Sequence, residues 1–124
     1  MVSEDRQKRL ADNVTRLTAE ILLTELKQPL PGVVTITSTQ LARDLSRARV
    51  FYTFLGTEAE RREVARRLGR VRTFVKREIG NRLHLRVTPD LSFQYDESAQ
   101  KGAEVLRLLS ELKQNERHTS GDTE

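Results

Sequence analysis

The sequence predicts one small domain of the α+β or α/β class, in which helices pack on one face of a three-stranded sheet. The chain has 124 residues, which is the size of a single domain. Apolar residues at spacings of three and four indicate helices, and short runs of β-branched and aromatic residues between them indicate strands. Their order is helix, strand, strand, long helix, strand, helix, and a sheet with helices on one face is the simplest packing for it.

The first helix is expected from about Asp5 to Lys27, because its apolar residues form one stripe along a polar helix. That stripe consists of Leu10, Val14, Leu17, Ile21 and either Leu22 or Leu26. The sequence Gln-Pro-Leu-Pro-Gly at 28–32 ends the helix, since proline and glycine do not continue it. A strand over Val33–Leu41 follows, because residues 33–37 are mostly β-branched.

The second strand is expected over Ala48–Leu55, and the next helical stretch over residues 58–82. Thr57 and Glu60 have the spacing of a capping box at the start of that helix. Its apolar stripe falls in an arc of about 80° at 100° per residue. The stripe consists of Val64, Leu68, Val71, Val75 and Ile79.

Gly69 lies in the middle of this stretch and allows two interpretations. One is a continuous helix weakened by about 1 kcal/mol, and the other is a kink that divides it into two. Gly80-Asn81 is expected to end the helix.

The third strand is expected over Leu83–Tyr95, with His84 in or beside it and a bend at Pro89. A last helix over Ala99–Lys113 is expected to start at a Ser98 cap. Its inward residues would be Val105, Leu106, Leu109 and Leu112. Residues 1–113 then form one domain, and 114–124, which hold no apolar residue, form a disordered tail.

The composition argues against several classes of function. There is no cysteine, which excludes disulfides, thiolate metal sites and a cysteine nucleophile. The two histidines, His84 and His118, lack metal-ligand spacing, and no phosphate loop or nucleophile elbow is present. No apolar run reaches the roughly 18 residues of a membrane span. We therefore expect a soluble, intracellular protein that is not an enzyme and has no metal or cofactor.

Positive charge is concentrated in residues 61–86, which hold ten basic and two acidic side chains. Nine of the ten basic residues are arginine, whose planar fork of donors suits phosphate oxygens. The pattern is typical of a polyanion-binding surface, although a solvated helix face gives a similar one. The candidate contacts for RNA are Arg62, Arg66, Arg67, Arg70, Arg77, Arg82 and Arg86. Arg86 has the alternative of an ion pair with Asp90 or Asp96, and Arg6, Lys8 and Arg9 are second-rank candidates.

Three stretches of this chain resemble the ribosome-binding factor A family. They are VTITSTQL at 34–41 followed by Arg43-Asp44-Leu45, Gly69 with Val71-Arg72, and LRVTPDLSF at 85–93 with Asp96 and Gly102. The third stretch is the most specific, and the resemblance covers about residues 5–113.

The resemblance implies a type II KH-like fold in which a helix–kink–helix with an Ala-x-Gly sequence replaces the usual Gly-x-x-Gly loop. Here the matching residues are Arg67-Leu68-Gly69, so the glycine is kept and the alanine is not. The resemblance adds Gly69 to the candidate RNA contacts, because family members are thought to face RNA at this place. The implied function is a cytoplasmic, monomeric, non-catalytic assembly factor. Its partners would be the immature 30S subunit and 16S ribosomal RNA, whose late maturation and 5′-end processing it would support. No membrane and no small-molecule substrate are implied.

Two other functions agree with the residues alone. A generic KH-like nucleic-acid binder would bind isolated RNA or DNA as well as it binds the subunit. A protein-interaction module would use the arginine face for an acidic partner and would bind ribosomal RNA weakly.

Overall fold

The computed structural model describes residues 4–122, with only the backbone described at 99–101, 103 and 115–122. Within that range the helices are α1 (Glu4–Thr24), α2 (Glu58–Leu83) and α3 (Glu97–Asp122). The strands are β1 (Val33–Leu41), β2 (Arg47–Leu55) and β3 (Asp90–Tyr95). None of these helices, over the residues described, is long and apolar enough to cross a membrane.

The three strands form one sheet in the order β1-β2-β3. β1 pairs antiparallel to β2, with an irregularity between Ile36 and Ser38, and β3 pairs parallel to β2. A parallel neighbour needs a crossover connection, and α2 provides it. The predicted fold class, a three-stranded sheet with α1 and α2 on one face, is confirmed.

The core lies between that face of the sheet and the two helices. Alternation along β2 points Ala48, Val50 and Tyr52 inward, and Leu91 of β3 lies beside them. The α2 stripe is completely buried at Val64, Leu68, Val75 and Ile79. From α1 the buried apolar residues are Val14, Leu17, Ile21 and Leu22. The described residues leave the opposite face of the sheet uncovered, and its polar side chains are exposed.

α2 matches the predicted stretch 58–82 to within one residue, but its C-cap is not the predicted one. The capping box of Thr57 and Glu60 is present in both directions. The helix passes Gly80-Asn81 and ends at a C-cap formed by His84, whose φ of 53° is left-handed. The predicted end at Gly80-Asn81 and the predicted place of His84 in a strand are therefore wrong.

Gly80 has a packing role that explains this difference. A Cβ atom there would lie 2.3 Å from Thr88 Oγ1, so the glycine lets the segment after α2 pass close to the helix. The Leu85 N–H donates to the Gly80 carbonyl at 3.1 Å, which holds the segment in place. The third strand starts only at Asp90, not at Leu83, because residues 85–89 make this turn first.

α2 is one uninterrupted helix through Gly69. Gly69 does not divide it into two separate helices, which agrees with the interpretation as one continuous helix. The buried stripe keeps its register on both sides of Gly69, which explains why the helix can continue. No atom comes within 4 Å of a Cβ built at Gly69, so no neighbour requires a glycine there.

α3 does not pack as the sequence predicts. It starts at Glu97, and Asp96 rather than Ser98 caps it: Asp96 Oδ1 accepts from the Ser98 N–H at 3.0 Å and from the Ser98 hydroxyl. Residues 104–114 are all exposed, so the predicted inward orientation of Val105, Leu106, Leu109 and Leu112 is wrong. The helical backbone continues past Lys113 to Asp122. The described side chains of α3 do not pack against the core. The disordered tail expected over residues 114–124 stays a prediction.

The two helical glycines of α2 are expected to respond in opposite ways to alanine. Gly69→Ala should raise the free energy of unfolding by about 1 kcal/mol, because it relieves the helix cost of glycine and its methyl group meets open space. Gly80→Ala should bring no such gain, because its methyl group would force Thr88 to move. Urea denaturation of both variants checks this, and equal stabilisation by the two would contradict the packing role of Gly80.

Leucines in α2 and α3 should differ sharply in their contribution to stability. Leu68→Ala is expected to cost about 2–5 kcal/mol, because Leu68 is completely buried. Leu109→Ala should stay within about 0.5 kcal/mol, because half of Leu109 is already exposed to solvent. A large loss with Leu109→Ala, measured by urea denaturation, would show that α3 packs on the core in solution.

Candidate nucleic-acid interface

The outward surface of α2 carries a row of arginines opposite its buried stripe. At 100° per residue, Arg62, Arg70 and Arg77 fall within an arc of about 80° on that side. All three are exposed, as is Arg86 in the segment that follows the helix. Because the stripe is locked into the core, the helix cannot rotate these side chains away from solvent.

The guanidinium groups of these four arginines form no hydrogen bond or ion pair with the side chains or backbone that the structure describes. We call Arg62, Arg70 and Arg77 the outward arginine row. Arg86 does not form the ion pair considered for it, since Asp90 binds Lys76 and Asp96 binds Ser98 and Thr37. A guanidinium without an internal partner keeps all its donors for a ligand.

Arg66 also lies on the outward side but is held by its own helix. Its Nη2 and Nε donate to the two carboxylate oxygens of Glu63 at 2.6 and 3.1 Å. The hydrogen bond lowers the pKa of Glu63 and raises that of Arg66. A polyanion would have to compete with this carboxylate for Arg66.

Arg67 has a structural role. Its two terminal nitrogens donate to the backbone carbonyls of Gln28 at 2.5 Å and Pro29 at 2.8 Å. This contact fastens the turn between α1 and β1 to the side of α2. The arginine that replaces the family's alanine therefore points at the protein itself and not at a ligand.

Arg82 joins the two core-covering helices. Its guanidinium lies 3.6 Å from Glu20, 3.2 Å from Glu25 and 3.8 Å from Glu78. Glu20 belongs to α1 and Glu25 follows it directly, whereas Glu78 precedes Arg82 by one turn of α2. Like Arg67, Arg82 is explained by the fold.

Gly69 lies beside the outward arginine row, and its surroundings are open on the side where a Cβ would stand. A partner can therefore approach the backbone of α2 closely at this point. The eight predicted contacts thus fall into two sets. Five of them, namely Arg62, Gly69, Arg70, Arg77 and Arg86, are free to bind, and Arg66, Arg67 and Arg82 are engaged within the protein.

The prediction missed cations outside the arginine-rich helix face. Arg47 and Arg49 of β2 are exposed on the uncovered face of the sheet. Arg72 of α2 lies near the start of β3. The signal in the sequence was the spacing of Arg47 and Arg49, which places both on one face of a strand. Arg61 does not join them, because its guanidinium stacks 4.2 Å above the ring of Tyr95.

No catalytic arrangement stands out beside this surface. Among the described residues, no group of three or more histidine, aspartate or glutamate side chains is placed to hold a metal ion. Asp96 has a lowered pKa because it accepts hydrogen bonds from Ser98 and Thr37. Asp96 thus links the start of α3 to β1, and its role is structural.

Comparison with known proteins points to one family. The family model described as ribosome-binding factor A matches residues 6–109. A ribosome-binding factor A from Syntrophobacter fumaroxidans is 44% identical over 113 residues, covering 90% of this chain and 97% of the relative.

Solved structures agree on the fold. The crystal structure of ribosome-binding factor A from Thermus thermophilus superposes with a TM-score of 0.62 at 22% identity, covering 72% of this chain and 94% of that one. A homology model of the Thermus thermophilus factor, fitted into a cryo-EM map of a complex with 30S, gives a TM-score of 0.62 at 22% identity. The match covers 73% of this chain and 96% of the Thermus thermophilus chain.

The two classes of arginine should separate in a stability measurement. Arg82→Gln is expected to lower the free energy of unfolding by about 1 kcal/mol, because three carboxylates lose their shared cation. Arg70→Gln should change it by less than about 0.5 kcal/mol. Urea denaturation at low salt and at 1 M salt checks both, and the loss with Arg82→Gln should shrink as salt screens the ion pairs. Equal effects of the two substitutions would contradict this division.

Proposed function

Because this chain belongs to the ribosome-binding factor A family, we propose that it binds the immature 30S ribosomal subunit and supports late 16S RNA maturation, including processing of the 5′ end. The support from relatives is the family match over residues 6–109 and the fitting of the Thermus thermophilus factor into a 30S complex. The support from this chain itself is the surface of α2.

The observation that carries the proposal is the outward arginine row. Three guanidinium groups project from one helix face, and none of them forms a hydrogen bond or an ion pair with the described residues. A folded RNA offers phosphate oxygens along its surface, and arginine binds them with two donors at once. Each phosphate that is neutralised releases counterions, so the affinity should fall steeply as salt rises.

The same surface favours contacts to the RNA backbone over the reading of bases. Single-strand readers stack bases on exposed aromatic rings. In residues 61–86 the aromatic residue is Phe74, and it packs against the core. Arginine contacts and a close approach at Gly69 instead fit the shape and phosphates of a folded RNA.

The proposed role needs no catalysis. The protein acts as a monomer in the cytoplasm, binds no small-molecule substrate, and changes the subunit through binding energy alone. A site that binds a folded RNA surface stabilises the RNA conformation that presents that surface, which is how a non-catalytic factor can assist maturation.

The test is a triple variant of the outward arginine row, Arg62→Gln, Arg70→Gln and Arg77→Gln. We expect it to lose at least tenfold in affinity for 30S subunits, because three phosphate contacts disappear while the fold is kept. The measurement is co-sedimentation with 30S subunits, 50S subunits and free RNA at two salt concentrations. Circular dichroism and urea denaturation establish that the variant folds.

A matched control removes the same charge elsewhere. Arg16→Gln, Lys27→Gln and Arg107→Gln together lower the net charge by three and leave the outward arginine row intact. Unchanged binding by the row variant, or an equal loss with the control, would contradict our placement of the interface. Equal binding of the wild type to every RNA would favour a generic KH-like binder. Binding to neither subunit nor RNA would favour an acidic protein partner.

A further inference from the structure

A second basic feature lies at the end of the sheet where β2 and β3 begin and β1 ends. A hollow of about 560 Å³ opens at this end of the sheet, and Arg72 of α2 reaches its lining. Its polar lining consists of Gln40, Arg47, Arg49, Arg72, Asp90 and Ser92. None of these residues belongs to the outward arginine row.

The register of the sheet explains how residues distant in sequence meet here. Gln40 of β1 stands opposite Arg49 of β2, and Arg49 stands opposite Ser92 of β3. Arg47 follows the same alternation as Arg49 and stands opposite Asp90. The sheet thus places a guanidinium between an amide and a hydroxyl, both of which can donate to an anion.

The charges in the hollow are not balanced. Asp90, its one carboxylate, accepts a hydrogen bond from Lys76, which is the main reason why its pKa is lowered; Arg72 and Arg47 lower it further. The guanidinium groups of Arg47, Arg49 and Arg72 form no hydrogen bond and no ion pair with any described group. Three guanidinium groups and one lysine therefore stand against Asp90 in the hollow and Asp44 outside its lining, which interacts with Arg47.

The hollow is also continuous with the surface of α2. At about 100° per residue, Lys76 and Gly69 lie between Arg72 and the outward arginine row around the helix. Gly69 has no side chain to block the way between them. A chain of regularly spaced anions can therefore pass from the row across Gly69 to the hollow.

We propose that this hollow is a second phosphate-binding site for RNA, in which Arg47, Arg49 and Arg72 hold phosphodiester groups of the same RNA that contacts α2. The proposal rests on the proposed function and extends it from one helix face to the sheet. An RNA backbone fits the hollow better than an acidic peptide does, because it brings a phosphate every few ångströms along a continuous path. The neutral donors Gln40 and Ser92 add hydrogen bonds to the phosphate oxygens.

The test uses the salt dependence of binding. The affinity of the full chain for 30S subunits is measured from about 50 to 200 mM salt, a range in which phosphate contacts dominate the change. The variant carries Arg47→Gln, Arg49→Gln and Arg72→Gln. We expect this variant to lose at least tenfold in affinity at the low-salt end. The slope of log K against log salt should become shallower, its magnitude falling by about two to three.

The control variant is again Arg16→Gln, Lys27→Gln and Arg107→Gln, which has the same net charge and should keep the wild-type slope. If the triple variant is unstable in urea, Arg49→Gln alone is measured, and its slope should decrease by about one. A hollow variant that keeps the wild-type slope would overturn the proposal, whether or not its affinity is weaker. A weaker affinity with that slope would indicate a contact with something other than phosphate. Failure of the wild type to bind 30S subunits would instead refute the proposed function itself.

Discussion

The structure depends on the burial of one narrow stripe of α2. Val64, Leu68, Val75 and Ile79 have no exposed surface, and they press the helix against the sheet along its length. The same helix is the connection that brings β3 back parallel to β2. A crossover helix held by so narrow a stripe leaves most of its circumference to solvent, which is where arginine can be placed without the cost of burying charge.

The neighbours of each arginine, rather than the number of arginines, determine what this surface can bind. Arg67 and Arg82 lie in the same charged segment as Arg70 and Arg77, but their donors are taken by the α1–β1 turn and by carboxylates of α1 and α2. Arg82 also shows that acidic residues near the end of α1 serve the fold. Arg82 offsets part of their negative charge within the protein.

Local sequence signals predicted the parts of the fold that local interactions decide. The bounds of β1, the capping box at Thr57 and the buried stripe of α2 depend on residues close in sequence, and all were found. The C-cap of α2 was misplaced at Gly80-Asn81, because Gly80 serves a contact with Thr88 that forms only in three dimensions. The roles of Arg67 and Arg82 were missed for the same reason, since partners of theirs lie 38 and 57 residues away.

α3 shows why an apolar pattern does not establish burial. Its leucines have helical spacing, and the sequence therefore predicted that they face the core. Yet α1 and α2 already cover the one apolar face of the sheet, and a third helix would have to lie on the other face. At the end where β2 and β3 begin, that face presents Gln40, Arg49 and Ser92, which offer nothing for an apolar stripe to bury against. Because the described part of α3 leaves this face uncovered, the arginines of β2 stay open to solvent. The two helices that complete the core thus also determine that the polar end of the sheet is available to a polyanion.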